Sequence, residues 1–191
     1  FKDTQKLNEI SYHEAIEMSF FGATVIHPKT IKPLQNKNIP LKVKSFYSPE
    51  DDGTIITNAK DLSEQSRDPA SLIPSFIFKT QQVLISILPR DFSFVVEENL
   101  SDIFSRFAKY GIKVNMMQHS AISFSICVDG DKNKVPQLIE ALQKDFKVLY
   151  NEDVELITIR HYDQPTIDKL TKGKKIFVEQ KSRHTARFVV R

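Results

Sequence analysis

Val83-Leu84-Ile85-Ser86-Ile87 opens the most regular part of the sequence. Its branched apolar residues are typical of a buried strand. The patterns that follow predict alternating elements: a helix over 100–110 capped by Asn99 and ended by Gly111, strands over 114–117 and 122–128, a helix over 135–145 and a strand over 148–150. This order is the ferredoxin-like βαββαβ arrangement. We therefore expect an α+β fold with an antiparallel sheet and helices on one face.

A second copy of the pattern follows the first. Glu155-Leu156-Ile157-Thr158-Ile159 resembles the opening stretch, a short helix is expected over 165–170, and Gly173-Lys174-Lys175-Ile176 resembles Gly111-Ile112-Lys113-Val114. The sequence stops at Arg191, before a second helix and a final strand of this copy. Because an incomplete repeat cannot bury its apolar face alone, we expect it to pack on the first copy or to borrow an earlier strand, such as 76–78.

The N-terminal part has a different organisation. Ser11 and Glu14 have the spacing of a capping box, which predicts a helix over 11–21 that ends at Gly22. Pro28 suits the first turn of a second helix, which runs towards Asn36. Beyond it we expect a β-hairpin made of 39–46 and 54–57, then a polar linker over 58–74.

Composition excludes several classes of protein. The chain has 27 Lys and Arg against 24 Asp and Glu, a formal charge of +3, so a dedicated nucleic-acid or membrane binder is not expected. The five glycines lie far apart, which leaves no glycine-rich phosphate loop. The single Cys127 cannot form an internal disulfide or supply a zinc finger, and no metal site is expected. We expect a cytoplasmic location.

Four features have an ordinary structural explanation. His27 before Pro28 is expected to cap or pack rather than catalyse, and Cys127 is expected to be a buried, inert thiol. The acidic residues 50–52 precede a glycine and indicate a solvated turn. The C-terminal basic residues are expected on outer strand faces: Lys172, Lys174, Lys175, Lys181, Arg183, Arg187 and Arg191.

The stretch 114–121 is the strongest candidate for a binding site. As a regular strand it would carry Asn115, Met117 and His119 on one face, and Val114, Met116 and Gln118 on the other. Facing the loop 89–96, such a strand end offers backbone groups and short side chains to a small zwitterion. An ordinary polar strand end explains the same residues.

Two groups of motifs resemble one family. Ile10-Ser11-Tyr12-His13-Glu14-Ala15 and Phe21-Gly22-Ala23-Thr24-Val25-Ile26-His27-Pro28 resemble the segment that closes the catalytic domain of aspartokinases. The stretches 40–46 and 53–56 resemble the segment that follows, and the paired ferredoxin-like units are similar to the two regulatory ACT domains of the family. The resemblance implies four parts: a kinase tail with linker over 1–65, a linker and shared strand over 66–82, a first ACT domain over 83–153 and a second, shortened one over 154–191.

The resemblance also implies a function. Aspartokinases use ATP and Mg²⁺ to phosphorylate the side-chain carboxylate of aspartate, the first step towards lysine, threonine and methionine. The family's Lys-Gly-Gly start and nucleotide loops have no counterpart in this sequence. We expect no catalytic residues and no cofactor in this chain, and no kinase activity from it alone.

In inhibited aspartokinases, the first ACT domain binds an end-product amino acid at a dimer interface. By resemblance, the effector-binding residues here are Phe92, Ser93, Phe94, Val95, Val114, Asn115, His119, Ser120 and Ala121. Lysine-inhibited relatives resemble a Val-Asp-x-x-x-x-Ser-Glu pattern, whereas this chain has Asn115 and Ala121 in place of the two carboxylates. A buried ammonium group needs such partners, so threonine is favoured over lysine as the effector.

Two alternatives stay open. The ACT pair could form a homodimer without binding an effector, which sequence alone does not distinguish from sensing. Ferredoxin-like sheets also bind RNA through aromatic residues exposed on strands, but 122–126 contains one aromatic residue, Phe124. We therefore expect an amino-acid effector and a second copy of the chain as partners, without nucleic acid or membrane.

Overall fold

A computed structural model describes residues 4–23, 26–63, 72–91 and 93–191. The chain divides into two compact units, Phe1–Ile77 and Phe78–Arg191. No helix in the described ranges is both long and apolar enough to cross a membrane.

The N-terminal unit combines a small sheet with two helices. Its elements are β1 (Glu9–Ser11), α1 (Tyr12–Phe21), α2 (Pro28–Asn36), β2 (Leu41–Val43), β3 (Thr54–Thr57) and a 3₁₀ turn (Ala59–Asp61). The predicted hairpin is confirmed, since β2 pairs antiparallel with β3. The sheet order is β1-β3-β2, and the parallel pairing of β1 with β3 was not predicted from the sequence.

The helix ends in this unit follow the predicted signals. Ser11 Oγ accepts a hydrogen bond from the Glu14 amide at 3.1 Å, and Gly22 ends α1 with φ 114°. His27 Nδ1 accepts from the Lys29 amide at 3.2 Å, which confirms a capping role for this histidine. The core beneath these helices comprises Tyr12, Ala15, Ile31 and Ile56. Residues 64–71 of the predicted linker lie outside the described residues.

The C-terminal unit confirms the ferredoxin-like pair. The elements are β4 (Ser75–Pro89), α3 (Glu97–Lys109), β5 (Val114–Ser120), β6 (Ser123–Asp129), α4 (Lys134–Gln143), β7 (Phe146–Arg160), α5 (Gln164–Thr171), β8 (Ile176–Lys181) and β9 (Thr185–Val190). They build one six-stranded sheet in the order β5-β6-β4-β7-β9-β8. The strands of both copies therefore belong to one sheet.

The two central strands are longer than predicted. The sequence predicts separate strands at 76–78 and 83–88, and again at 148–150 and 155–159, whereas β4 and β7 each run through without a break. Each bends at a residue with left-handed backbone, Gln81 (φ 54°) or Asp153 (φ 52°). Strand β4, which includes 76–78, is the neighbour of β7 in the sheet. Strand β7 runs across the predicted boundary at 153/154, and the four-part division remains a prediction.

Helix α3 begins earlier than predicted. Asn99 is not its N-cap but lies one turn inside, where Asn99 Oδ1 accepts from the Val96 amide at 3.0 Å. A side chain that satisfies an end amide from the third helical position is the reciprocal half of a capping box. Asn99 therefore does form a capping hydrogen bond, but the helix begins three residues earlier than predicted.

Apolar residues fill both faces of the sheet. On one face, α3 and α4 cover a core that includes Val83, Ile85, Ile87, Ile103, Phe107, Phe124, Leu138 and Leu142. On the helix-free face, a second cluster consists of strand residues alone: Leu84, Met116, Cys127, Val154, Leu156 and Val189. We refer to this second group as the inner cluster.

The inner cluster is buried because the sheet curves. Arg187 Nη2 of β9 donates to the carbonyl oxygen of Asn115 in β5 at 2.7 Å. These strands are four positions apart in the sheet order, a separation of about 19 Å in a flat sheet. An arginine side chain cannot span that distance, so the helix-free face must fold towards itself.

Burial makes the single thiol unreactive. Cys127 is 1% exposed, and burial raises its pKa to about 12. Because the thiolate is the nucleophile, we expect iodoacetamide at pH 8 to modify the folded chain at least about a hundredfold more slowly than the urea-unfolded chain. Mass spectrometry of the alkylated peptide measures this. Ser93→Cys, at an exposed loop position, is the reactive control, and equal rates at both thiols would contradict the assignment.

A pH-dependent contribution to stability comes from Asp163. Its carboxylate accepts from the Thr166 amide at 2.7 Å at the start of α5, and the hydrogen bonds from Thr166 lower its pKa. A depressed pKa adds stability above the unfolded value and loses it as pH falls through the folded value. Asp163→Ala should lower the unfolding free energy by about 1 kcal/mol at pH 7, and less below about pH 4. Urea unfolding followed by circular dichroism measures both values.

The matched control is Asp163→Asn. Asparagine caps about as well as aspartate and does not titrate, so this variant should remain near the parent at pH 7. An Asp163→Ala deficit of equal size at pH 3 and pH 7 would contradict the role of the carboxylate.

Candidate functional site

The loop before α3 contacts the turn between β5 and β6. The Val95 amide donates to the Ala121 carbonyl oxygen at 2.9 Å, and the Val95 carbonyl oxygen lies 3.1 Å from His119 Nε2. Because a carbonyl only accepts, Nε2 carries the proton in this contact. Val95 is buried and anchors both bonds. Three predicted site residues, Val95, His119 and Ala121, are thus together at one end of the sheet.

The orientation of His119 follows from strand pairing. His119 lies opposite Phe124 in the β5–β6 register, with ring centroids 6.1 Å apart in an edge-on arrangement. Phe124 is 2% exposed and belongs to the helix-side core. The imidazole therefore packs edge-on against the buried ring of Phe124 and remains exposed to solvent.

Ser120 forms a hydroxyl pair with Ser123. The two Oγ atoms are 2.7 Å apart, and these residues face each other across the β5–β6 turn. Ser123 was not among the predicted residues. Its position in the sequence could have indicated this role, because the partner of Ser120 across a two-residue turn is the residue three positions later.

The rest of the loop is exposed. The Ser93 amide donates to Asp91 Oδ1 at 3.1 Å, and hydrogen bonds from Ser93 lower the pKa of this carboxyl. Phe94 is 69% exposed. Phe92, a predicted site residue, lies outside the described residues.

Val114 and Asn115 lie at the other end of β5. Asn115 is four residues before His119, about 13 Å along a strand. A β-bulge shifts the register between Val114 and Met116. As a result Val114 packs on the helix-side core and Met116 joins the inner cluster, so the prediction that these two residues share a face is wrong. An extra residue reverses the alternation on one side of it.

The side chain of Asn115 is engaged in a polar network. Asn115 Nδ2 donates to Gln82 Oε1 at 2.7 Å and to Asp129 Oδ1 at 2.9 Å, and Lys79 Nζ donates to Asn115 Oδ1 at 2.8 Å. Burial opposes the ionisation of Asp129, yet hydrogen bonds from Gln82 and Asn115 and the Lys79 charge together hold its pKa below the usual value. These groups satisfy one another.

This arrangement suits binding rather than covalent chemistry. The end of β5 offers an imidazole, two hydroxyls and backbone groups, which match a small polar molecule. In the described ranges, no three His, Cys, Asp or Glu side chains are placed to hold a metal ion. An open cleft of about 430 Å³ in the N-terminal unit contains none of the predicted site residues; its lining includes Asn8, Glu9, Lys42, Asp52 and Ser63.

Comparison with known proteins supports one family across the chain. Residues 1–45 match the amino acid kinase family. Aspartokinase 3, chloroplastic, of Arabidopsis thaliana is 30% identical over 152 residues, which is 73% of this chain and 25% of that protein. The chain thus spans about a quarter of the length of this relative.

Solved structures share the fold. E. coli aspartokinase III in complex with lysine and aspartate superposes with a TM-score of 0.72 at 21% identity, over 97% of this chain and 43% of that one. A C-terminal regulatory domain of aspartate kinase from Porphyromonas gingivalis superposes with a TM-score of 0.52 at 21% identity, over 62% of this chain and 86% of that one. With the motifs at its N-terminus and the paired repeats after them, the chain belongs to the aspartokinase family.

Proposed function

We propose that the chain is a regulatory region of an aspartokinase, in which an end-product amino acid binds at the end of β5. The observation that carries this proposal is the pair of contacts that joins the 93–96 loop to the β5–β6 turn, at Val95, His119 and Ala121. The complex of E. coli aspartokinase III with lysine supports an amino-acid ligand in a protein of this fold. The activity of the whole protein would be transfer of the ATP γ-phosphoryl group to aspartate.

Nucleotide and metal are assigned to no residue of this chain. Phosphoryl transfer needs a phosphate cradle and Mg²⁺ ligands. The five glycines are dispersed, and the described residues contain no cluster of three metal-ligating side chains. The residues present therefore do not fit ATP and Mg²⁺, and the proposed role of this chain is sensing. The buried, single cysteine is consistent with work in a reducing compartment such as the cytoplasm.

The effector that the site suits best has an uncharged side chain. Ser120 and Ser123 supply hydroxyls that exchange hydrogen bonds with a neutral polar group. Ala121, beside these hydroxyls, replaces one carboxylate of the lysine-type pattern, and Asn115, which replaces the other, is engaged with Gln82 and Asp129, so neither position offers a carboxylate to an ammonium group. Threonine meets these conditions. Lysine is the second candidate, because the ionised Asp91 in the loop could pair with its ammonium group.

A second copy of the chain is the proposed partner. Strand β5 is an edge of the sheet, and exposed apolar side chains surround its site end: Phe94 is 69% exposed, Met117 50% and Ile122 46%. An edge strand with apolar neighbours favours pairing with another chain. In such a homodimer the two effector sites would lie near the shared interface.

Assembly without a ligand remains the alternative, since the same apolar residues would serve it. RNA binding is less well supported. Stacking on a base needs an exposed aromatic face, and Phe124 is 2% exposed among helix-side residues.

Thermal unfolding of the chain tests the effector. At about 100 times its dissociation constant, a ligand adds roughly 2.7 kcal/mol, which raises the Tm of a chain of this size by roughly 5–10 °C. We expect threonine to produce the larger shift. Ser120→Ala should reduce it, while Ser182→Ala, at the matching position of the second copy, should not. If lysine is the effector instead, Asp91→Asn should remove its shift.

Several results would count against this proposal. No shift with threonine, lysine or methionine would favour the assembly role. A shift that Ser182→Ala removes and Ser120→Ala leaves intact would assign binding to the second copy.

Sedimentation equilibrium tests the dimer. We expect the parent chain to have the mass of a dimer and Met117→Glu to have the mass of a monomer, because a charge at the apolar edge opposes strand pairing. Leu149→Glu is the control, since Leu149 is 53% exposed on β7. A dimer that survives Met117→Glu and dissociates with Leu149→Glu would place the interface elsewhere.

A further inference from the structure

Each copy of the repeat has a β-bulge at the matching position, in β5 and in β8, but the surroundings of the two bulges differ. The register shifts between Val114 and Met116 in β5, and between Ile176 and Val178 in β8. The bulged residue is Asn115 in the first copy and Phe177 in the second, where it packs against the inner cluster. A bulge at this position therefore does not require a polar residue. The amide of Asn115 needs another explanation.

Asn115 is held from three strands. Lys79 and Gln82 of β4 and Asp129 of β6 bind its side-chain amide, and Arg187 of β9 binds its carbonyl oxygen at 2.7 Å. Gln82, which is 2% exposed, also donates to Asp129 at 2.9 Å. Both donors and the acceptor of the amide are engaged within the protein, which leaves the backbone position of Asn115 closely constrained.

Arg187 connects this bulge to the second copy. Besides the Asn115 carbonyl, its guanidinium contacts Thr158 Oγ1 at 3.3 Å, and Thr158 is 1% exposed on β7. The side chain is turned into the curved sheet, so the expectation of an outer strand face is wrong for Arg187. Burial of the guanidinium lowers its pKa. Arginine retains its charge even so, and it can hold two acceptors at once.

The bulge decides which residues reach the effector end of β5. After it, Met117, His119 and Ser120 pair with Ile126, Phe124 and Ser123. A slip of one residue would turn every one of these side chains to the opposite face. His119 would then leave Val95, and the Ser120–Ser123 pair would separate. The constraint at Asn115 is thus a constraint on the site about 13 Å away.

We propose that Arg187 and Asn115 are positioning residues, which hold the β5 bulge and so set the geometry of the effector end, and that Asn115 does not itself contact the ligand. The inference rests on the proposed function for its ligand. Its structural part concerns the unliganded chain and is measurable without any effector.

The test compares Arg187→Gln, Arg187→Lys and Asn115→Ala by hydrogen exchange of the Val95 amide and by the NMR contact between the His119 and Phe124 rings. In the unliganded chain we expect the Val95 amide to exchange roughly tenfold faster in Arg187→Gln and in Asn115→Ala, because each substitution removes hydrogen bonds that hold the bulge. The nuclear Overhauser contact between the His119 and Phe124 rings, whose centroids are 6.1 Å apart, should weaken. Arg187→Lys should recover part of the protection. Arg183→Gln, which removes the same charge from an exposed turn, should change neither reading.

Effector affinity by calorimetry then separates positioning from contact. If Asn115 positions β5, Asn115→Ala changes both the Val95 exchange without ligand and the effector Kd. A change in Kd with unaltered Val95 exchange would make Asn115 a contact residue and overturn the inference. Unaltered Val95 exchange and an unaltered His119–Phe124 contact in a folded Arg187→Gln chain would overturn it as well.

Two further results are decisive. If Arg187→Gln does not fold, Val95 exchange in Asn115→Ala alone tests the inference. Faster exchange would support the inference, and unchanged exchange would contradict it. If no amino acid binds the parent chain, the proposed function fails. Val95 exchange and the His119–Phe124 contact still test the positioning role.

Discussion

The C-terminal unit depends on two long central strands that belong to both copies of the repeat. β4 and β7 lie side by side, and each bends at one left-handed residue, Gln81 or Asp153. Beyond the bend, 82–87 pair with β6 and 155–160 pair with β9. Neither copy could bury its apolar strands alone, so sharing these strands compensates for the shortness of the second copy. The curvature of the sheet then closes the inner cluster.

That closure gives the two ends of β5 different roles. At one end, Val95 and His119 join the loop to the strand turn, where backbone groups and hydroxyls lie near solvent. At the other end, Asn115 is bound by Lys79, Gln82 and Asp129, and by Arg187 from the far side of the sheet. The first end suits a ligand. The second is an internal junction, whose groups are engaged with one another.

Much of the local structure could be predicted from sequence because local interactions dictate it. Ser11 and Gly22 end α1 through bonds to amides and carbonyls within a few residues. The inert thiol, the capping histidine and the order of strands and helices follow from similarly short-range patterns. The start of a helix is harder to predict when a polar residue can cap from more than one position. At α3, Asn99 caps from the third helical position and not from the N-cap. The sequence predicts a break in each central strand where polar residues interrupt the apolar ones, at 79–82 and 151–153, whereas the structure continues each strand through a single left-handed residue.

By itself, the sequence determined the caps and the repeat, since each depends on neighbours along the chain. The tertiary structure alone decided three further features. A bulge separates Val114 from Met116, Ser123 faces Ser120, and Arg187 turns inward to reach Asn115. Strand register and sheet curvature arise from the pairing of distant segments. No pattern of adjacent residues encodes whether a basic side chain 72 positions after Asn115 meets its carbonyl oxygen.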